Sequence, residues 1–194
     1  PIGMPTISHP RGTFASARAA AGAGLTFVHS TAAAHSIEQV AEASGAGPRW
    51  YQLYWPAERE VAASLVARAE AAGFGALMVT LDTFMMGWRP TDLDAAYLPF
   101  LAGTGIANYL TDPAFNAPLA EDAPLGDKVF RWAAMFGNPR LTWADLAWLR
   151  ERTSLPIVLK GVLHPDDARA ALDAGVDGIV VSNHGGRQVD GAIA

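Results

Sequence analysis

Short apolar runs of strand length alternate along this chain with alanine-rich stretches of helical period. The runs Ile2–Ile7, Leu25–Ser30, Trp50–Trp55, Ala76–Asp82, Pro156–Gly161 and Gly178–Asn183 read as strands, and Thr13–Ala21, Ser36–Ser44, Ala57–Ala72, Trp143–Arg152 and Pro165–Ala174 as helices between them. Strands of four to eight residues separated by helices of about ten imply βα units and a parallel sheet. One turn recurs: Ala21-Gly22-Ala23-Gly24, Ala72-Gly73-Phe74-Gly75 and Ala174-Gly175-Val176-Asp177-Gly178 each close a helix and open a strand. Glycine there accepts the left-handed conformation that stops a helix. This weak internal repeat favours a (β/α) barrel or a doubly wound sheet. The glycines serve the fold and not a ligand.

A strand buried on both faces should be aliphatic throughout. Here polar residues gather at the C-terminal ends: His29-Ser30-Thr31, Gln52 and Tyr54, Thr80 and Asp82, Lys160, and His184 after the last run. Barrel enzymes and open α/β sheets place their chemistry at that edge. Composition narrows the class further. Hydrophobic residues make up 51% and charged residues 17%, enough for a large core and too apolar for disorder. A net charge of −5 without any basic run argues against nucleic acid as a partner. The count of cysteines is 0, which removes disulfides, thiolate nucleophiles and cysteine metal sites and fits a cytoplasmic setting. No apolar stretch is long enough to span a membrane, and Pro1-Ile2-Gly3 does not open a signal peptide. A chain that begins on Pro1 and not on Met is expected to be a processed product or a fragment.

Residues 84–140 break the rhythm, with Pro90, Pro99, Pro113, Pro118, Pro124 and Pro139 and scattered aromatics. A long stretch of this kind after a strand's functional end reads as an active-site lid or an oligomer arm. The densest constellation is Ser182-Asn183-His184-Gly185-Gly186-Arg187-Gln188, where a strand ends. His184 suits a base near neutral pH. Arg187 offers a planar fork for a carboxylate. Asp82 suits the group that holds a histidine ring in its working tautomer. Lys160 is either a Schiff-base lysine or a cation for a developing anion. No serine elbow, metal-ligand spacing or nicotinamide glycine fingerprint is present. Two readings stay open on these residues: a cofactor-free or phosphosugar barrel with a Schiff base on Lys160, and a non-catalytic chain that associates with full-length subunits.

The string Ser182–Gln188 resembles the signature of the FMN-dependent 2-hydroxy acid oxidases and dehydrogenases. The resemblance runs over the whole chain through Tyr51-Gln52-Leu53-Tyr54, Thr80-Leu81-Asp82-Thr83, Gly87-Trp88-Arg89 and Leu159-Lys160-Gly161. Gly87-Trp88-Arg89-Pro90-Thr91-Asp92-Leu93, Ala96-Tyr97-Leu98-Pro99-Phe100-Leu101 and the long insertion are most similar to the lactate 2-monooxygenase subgroup. The resemblance implies a TIM (β/α)8 barrel with FMN as cofactor. It also implies a small 2-hydroxy acid as substrate, L-lactate first, molecular oxygen as electron acceptor, and a homo-oligomer.

It further implies roles by position. His184 is the base that takes a substrate proton while the C2 hydrogen and its electrons pass to flavin N5. Asp82 orients and stabilises His184. Arg187 and Arg89 grip the substrate carboxylate, and Tyr54 hydrogen-bonds the substrate oxygen. Lys160 stabilises negative charge at flavin N1 and O2. Gln52, Thr80, Ser30 and the backbone near Pro1 and Gly3 hold the isoalloxazine ring. Leu81, Phe84, Trp88 and Ile2 depart from the family's usual residues without touching the chemistry. An amino-terminal segment with a carboxylate-binding tyrosine and a later phosphate-binding region find no match here. Six strands against eight lead us to expect a single, incomplete barrel domain over residues 1–194, with the lid at about 84–140.

Overall fold

A computed structural model describes residues 1–188 and 190–193. Five parallel strands form one sheet in the order β1-β2-β3-β4-β5: β1 Phe27–Ser30, β2 Arg49–Leu53, β3 Leu77–Thr80, β4 Ile157–Lys160 and β5 Gly178–Val180. Helix α1 (Gly12–Gly22) leads into β1, α2 (Ile37–Ser44) joins β1 to β2, and α3 (Arg59–Ala71) joins β2 to β3. The run from β3 to β4 carries α4 (Pro90–Asp94), α5 (Ala107–Leu110), α6 (Pro113–Asn116), α7 (Leu125–Met135) and α8 (Asp145–Arg150). Helix α9 (Pro165–Asp173) precedes β5.

The recurrent turn is the same motif three times. Leu25, Phe74 and Val176 each donate an N–H back to Ala20, Ala69 and Ala171, and Gly24, Gly73 and Gly175 take φ of +66°, +74° and +75°. In the first copy Gly24 is the left-handed residue, while Gly22 still belongs to α1. These Schellman closures satisfy the last helical carbonyls and aim the chain into the next strand.

The expected strand Ile2–Ile7 is not one. Met4 adopts a left-handed φ of 53° and Pro5–Ile7 form a 3-10 turn. Pro5 has no N–H for a ladder, so the segment meets the sheet through a single bond, Met4 N–H to Ala32 O at 3.1 Å. The described sheet therefore has five strands, one fewer than the sequence suggests.

The core lies between the sheet and its helices. Val61, Leu65, Val66 and Ala69 of α3 pack with Leu53, Leu77, Val79 and Leu159 of the strands. The long segment is not structureless. Ile106, Tyr109, Phe115, Val129, Trp132 and Met135 are buried in that same core. Its first part differs: Phe84, Met85, Met86, Trp88, Leu98 and Leu101 are exposed. The second half is thus scaffold, and only the first has the exposure of a cover. Among the described residues no helix is long and apolar enough to cross a membrane.

Candidate active site

The C-terminal ends of the strands supply a row of buried polar side chains. Register places Ser30 beside Gln52 and Thr80 beside Lys160. The Ser30 hydroxyl donates to Gln52 Oε1 at 2.6 Å, and Gln52 Nε2 donates to Thr80 Oγ1 at 2.8 Å. Ser30, Gln52, Thr80 and Lys160 are 3%, 1%, 7% and 7% exposed. Polar groups at that depth need partners: Ser30, Gln52 and Thr80 provide them to one another, and Lys160 finds its own outside the row. Gly3 lies against it: a Cβ at Gly3 would stand 2.9 Å from Ala32 O and 3.8 Å from Ser30 Oγ.

Next to the row, Asp82 follows β3 and meets His184 and Lys160. His184 Nδ1 lies 2.8 Å from Asp82 Oδ1, and Lys160 Nζ lies 3.7 Å from Asp82 Oδ2. Lys160 Nζ is also 3.3 Å from His184 Nδ1. Two donors cannot bond one another, so Nδ1–H donates to Asp82 and Lys160 acts there as a nearby charge. That leaves Nε2 with its lone pair, facing the Tyr54 hydroxyl at 3.4 Å. The Tyr54 and His184 rings stack at 18°. Burial opposes the charged form of Asp82, but the bond from His184 and the Lys160 ammonium outweigh it and hold the carboxyl below its usual range. Burial also lowers the Lys160 ammonium, with Asp82 opposing, and pushes the Tyr54 phenol up to about 12, with Asp82 adding to the effect. Tyr54 is therefore a neutral hydrogen-bonding group.

Two backbone features permit this approach. Gly161 has φ +103°, and a Cβ there would stand 2.9 Å from the Asp82 carboxyl carbon. His184 itself has φ 63°, and its N–H donates to Ser182 Oγ at 3.1 Å. A left-handed histidine at a ligand cleft is a strained position held by its surroundings.

A cavity of about 290 Å³ opens here, lined among the described residues by Pro1, Tyr54, Thr80, Lys160, Ser182, His184 and Gly185. The two expected carboxylate-binding arginines do not line it. Arg187 Nη2 is 3.4 Å from Asp92 Oδ2 on α4 and its side chain is 56% exposed. Arg89 immediately precedes α4, and its buried Nε has no hydrogen-bond partner among the described residues. A second, more apolar cavity of about 550 Å³ adjoins through Tyr54 and Thr80 and reaches Phe84, Pro139 and Trp143.

Three further residues, Gln188, Thr83 and Phe136, support the site. Gln188 Nε2 donates to Asp82 O at 2.8 Å and Met85 O at 3.0 Å, tying the histidine loop to the strand end that carries the aspartate. Thr83 Oγ1 donates to Asp82 Oδ1 at 3.2 Å. Phe136, at the end of α7, packs edge-on against Tyr54 at 5.3 Å between ring centres. Gln188 and Thr83 lie inside strings already singled out; nothing local marks Phe136.

With this geometry in hand, the comparisons with known proteins are informative. The family model described as FMN-dependent dehydrogenase matches residues 1–194. An L-lactate oxidase of Lysinibacillus sphaericus (strain C3-41) is 44% identical over 193 residues, covering 100% of this chain and 50% of the relative. An FMN-dependent alpha-hydroxy acid dehydrogenase of Penicillium citrinum is 44% identical over 199 residues, covering 100% of this chain and 49% of the relative. The crystal structure of a mandelate oxidase superposes with a TM-score of 0.80 at 39% identity, covering 100% of this chain and 50% of that one. The chain spans about half the length of the curated relatives it matches. The parallel α/β architecture with polar strand ends is that of the TIM-barrel flavoenzymes, and the chain belongs to the FMN-dependent dehydrogenase family.

Proposed function

We propose that this chain serves the FMN-dependent oxidation of a small L-2-hydroxy acid, L-lactate first, with dioxygen as acceptor and oxidative decarboxylation of the product to acetate. The observation that carries the reading is the line from Asp82 Oδ1 through His184 Nδ1 at 2.8 Å to Nε2, which faces the Tyr54 hydroxyl at 3.4 Å. Ser30, Gln52, Thr80 and Lys160, with the backbone near Pro1 and Gly3, would hold the flavin ring. The fit rests on a buried polar row where aliphatic residues are expected, with the Lys160 cation buried in it, and on Gly3, where a Cβ would stand 2.9 Å from Ala32 O beside the row. When bound, FMN supplies the two-electron acceptor. The family assignment favours this role for Lys160 over a Schiff base.

The chain's own residues do the rest. His184 Nε2 takes the proton from the substrate hydroxyl. Asp82, ionised and aligned on Nδ1–H, stabilises the imidazolium that results. Tyr54 donates a hydrogen bond to the substrate oxygen and helps exclude water. Lys160 offers a fixed positive charge where negative charge grows, which is worth most in a dry cavity. The substrate carboxylate displaces Asp92 from Arg187 and engages Arg89, whose Nε has no other partner among the described residues. The lactate and decarboxylation assignments are supported by Gly87–Leu93, Ala96–Leu101 and the long insertion, and by the L-lactate oxidase relative.

The test is His184→Gln in the FMN-loaded protein. Flavin stays bound, and its reduction by lactate slows by roughly 10²–10⁴, the usual cost of losing a general base, with the lost Asp82 pairing adding to it. Stopped-flow bleaching near the parent rate would remove His184 from the mechanism.

A further inference from the structure

We infer that Asn108, on α5, is a positioning residue for the proposed flavin-binding row: it fixes the backbone of Ser30, whose hydroxyl orders Gln52 and, through Gln52, Thr80. This rests on the flavin reading of that row. Asn108 is fully buried, and its Nδ2 donates to Ser30 O at 3.1 Å and Thr31 O at 3.0 Å. Those carbonyls lie where β1 ends. Ala107 N–H donates to Ala33 O at 3.0 Å, and Ala33 forms a parallel bridge with Ile106. The excursion therefore continues the sheet edge just beyond β1.

Asn108 is itself anchored. Its backbone carbonyl oxygen accepts from Arg68 Nη1 at 2.8 Å, and the same guanidinium holds Asp112 and Glu38. A continuous path of bonds thus runs from Arg68 on α3 through Asn108 to Ser30, Gln52 and Thr80. Removing the amide takes the Nδ2 donor from two buried carbonyls, leaving Thr31 O only the local Ala33 N–H at 3.1 Å, and the chain between Ser30 and Ala33 shifts to regain partners. Nothing in Asn108 reaches the cavity, so its effect on flavin passes through Ser30.

The experiment measures FMN dissociation constants and the visible spectrum of bound flavin for Asn108→Ser, Ser30→Ala and the double variant. Each single variant is expected to weaken FMN about tenfold and to shift the flavin bands. The double variant is expected to resemble the weaker single one, because both act on one path. Phe115→Leu, in the same buried excursion away from β1, should lower Tm without moving either readout. The inference is overturned by Asn108→Ser binding FMN like the parent, by effects that multiply in the double variant, or by an equal loss of FMN affinity in Phe115→Leu. Should Asn108→Ser not fold, hydrogen exchange on the parent decides: FMN must slow exchange in residues 106–110 as well as 30–33, and no slowing in 106–110 refutes the link. Unchanged FMN affinity in Ser30→Ala and Gln52→Ala removes the flavin row itself and the inference with it. A response there but not at Asn108 removes the inference alone.

Discussion

Asp82 serves two partners at once, a ring N–H and an ammonium, and that double duty sets the state of the site. One carboxylate oxygen holds the His184 ring; the other faces the Lys160 ammonium at 3.7 Å. The aspartate stays ionised because its partners outweigh its burial. Among the described residues the acidic partner of Arg187 is Asp92. Two substitutions with opposite expected signs probe it. Arg187→Lys keeps the charge and loses the planar fork, so on the proposed role a small carboxylate such as oxalate should bind more weakly. Asp92→Asn frees the guanidinium, so oxalate binds more tightly, by about fivefold at most because an exposed pair is worth only about 0–1 kcal/mol. Oxalate titration of the flavin absorbance measures both, and unchanged affinity in the two variants would take Arg187 out of carboxylate recognition. At this scale the sequence was informative wherever a polar residue ended an apolar run, as at Ser30, Gln52, Thr80, Asp82 and Lys160. It was silent on Phe136, since the contact with Tyr54 joins elements far apart in the chain. It was equally silent on the Arg187–Asp92 pair, which depends on where α4 lands.

The excursion from β3 to β4 divides into two elements with different duties. Residues 84–101 present exposed apolar side chains near the site, while α5 to α7 are built into the core. Proline spacing and aromatic scatter mark the whole stretch as irregular, and those local signals cannot say which aromatics find a core to enter. The lid proposal accordingly contracts to the first part. On the proposed decarboxylating activity, replacing residues 93–98 by a short Gly-Ser turn should shift products from acetate toward pyruvate and hydrogen peroxide, because a looser cover releases intermediates sooner. An unchanged acetate yield would assign the cover no part in retention. The second part is clamped by Arg68, which grips Glu38 through Nε and Nη2 at 2.8 and 2.9 Å and Asp112 at 2.9 Å. The Arg68 hydrogen bonds hold the Glu38 carboxyl down from its ordinary 4.5 to about 2, against its burial. A lowered carboxylate contributes stability that is complete above 4.5 and fades as pH falls toward 2. Glu38→Gln should therefore lower stability near neutrality by about 1 kcal/mol at most, given the half-exposed carboxylate. The gap to the parent should close between pH 4.5 and 2. Urea titrations across that range check it; a constant gap would show that the pair does not carry the acid sensitivity.

At the scale of the whole molecule, the five strands form an arc with two free ends. Among the described residues β1 pairs only with β2, and β5 only with β4. The alternation of apolar runs and helices foretold a parallel sheet and the ends of its five described strands to within three residues, the largest miss being the end of β5. It failed at Ile2–Ile7, where Pro5 and the left-handed Met4 defeat an otherwise strand-like composition. The two edges are not equally protected. Beyond β1 the chain is bridged to Ile106 and tied by Asn108, so that side has a cover. At β5 the backbone of Gly178–Val180 lies beside Ile179 at 36% exposure and Val181 at 56%. An exposed apolar edge strand offers a ready template for another strand. Residues 1–194 expressed alone should therefore self-associate with rising concentration, and β5 should be the route. Ile179→Lys places a charge on that edge and should raise the concentration at which light scattering appears, with little change in Tm since the side chain is not in the core. Association that Ile179→Lys leaves untouched would move the route elsewhere, with Trp88 and Leu101 on the excursion the next surface to change. A monodisperse monomer at every concentration would mean that the β5 edge is covered in solution.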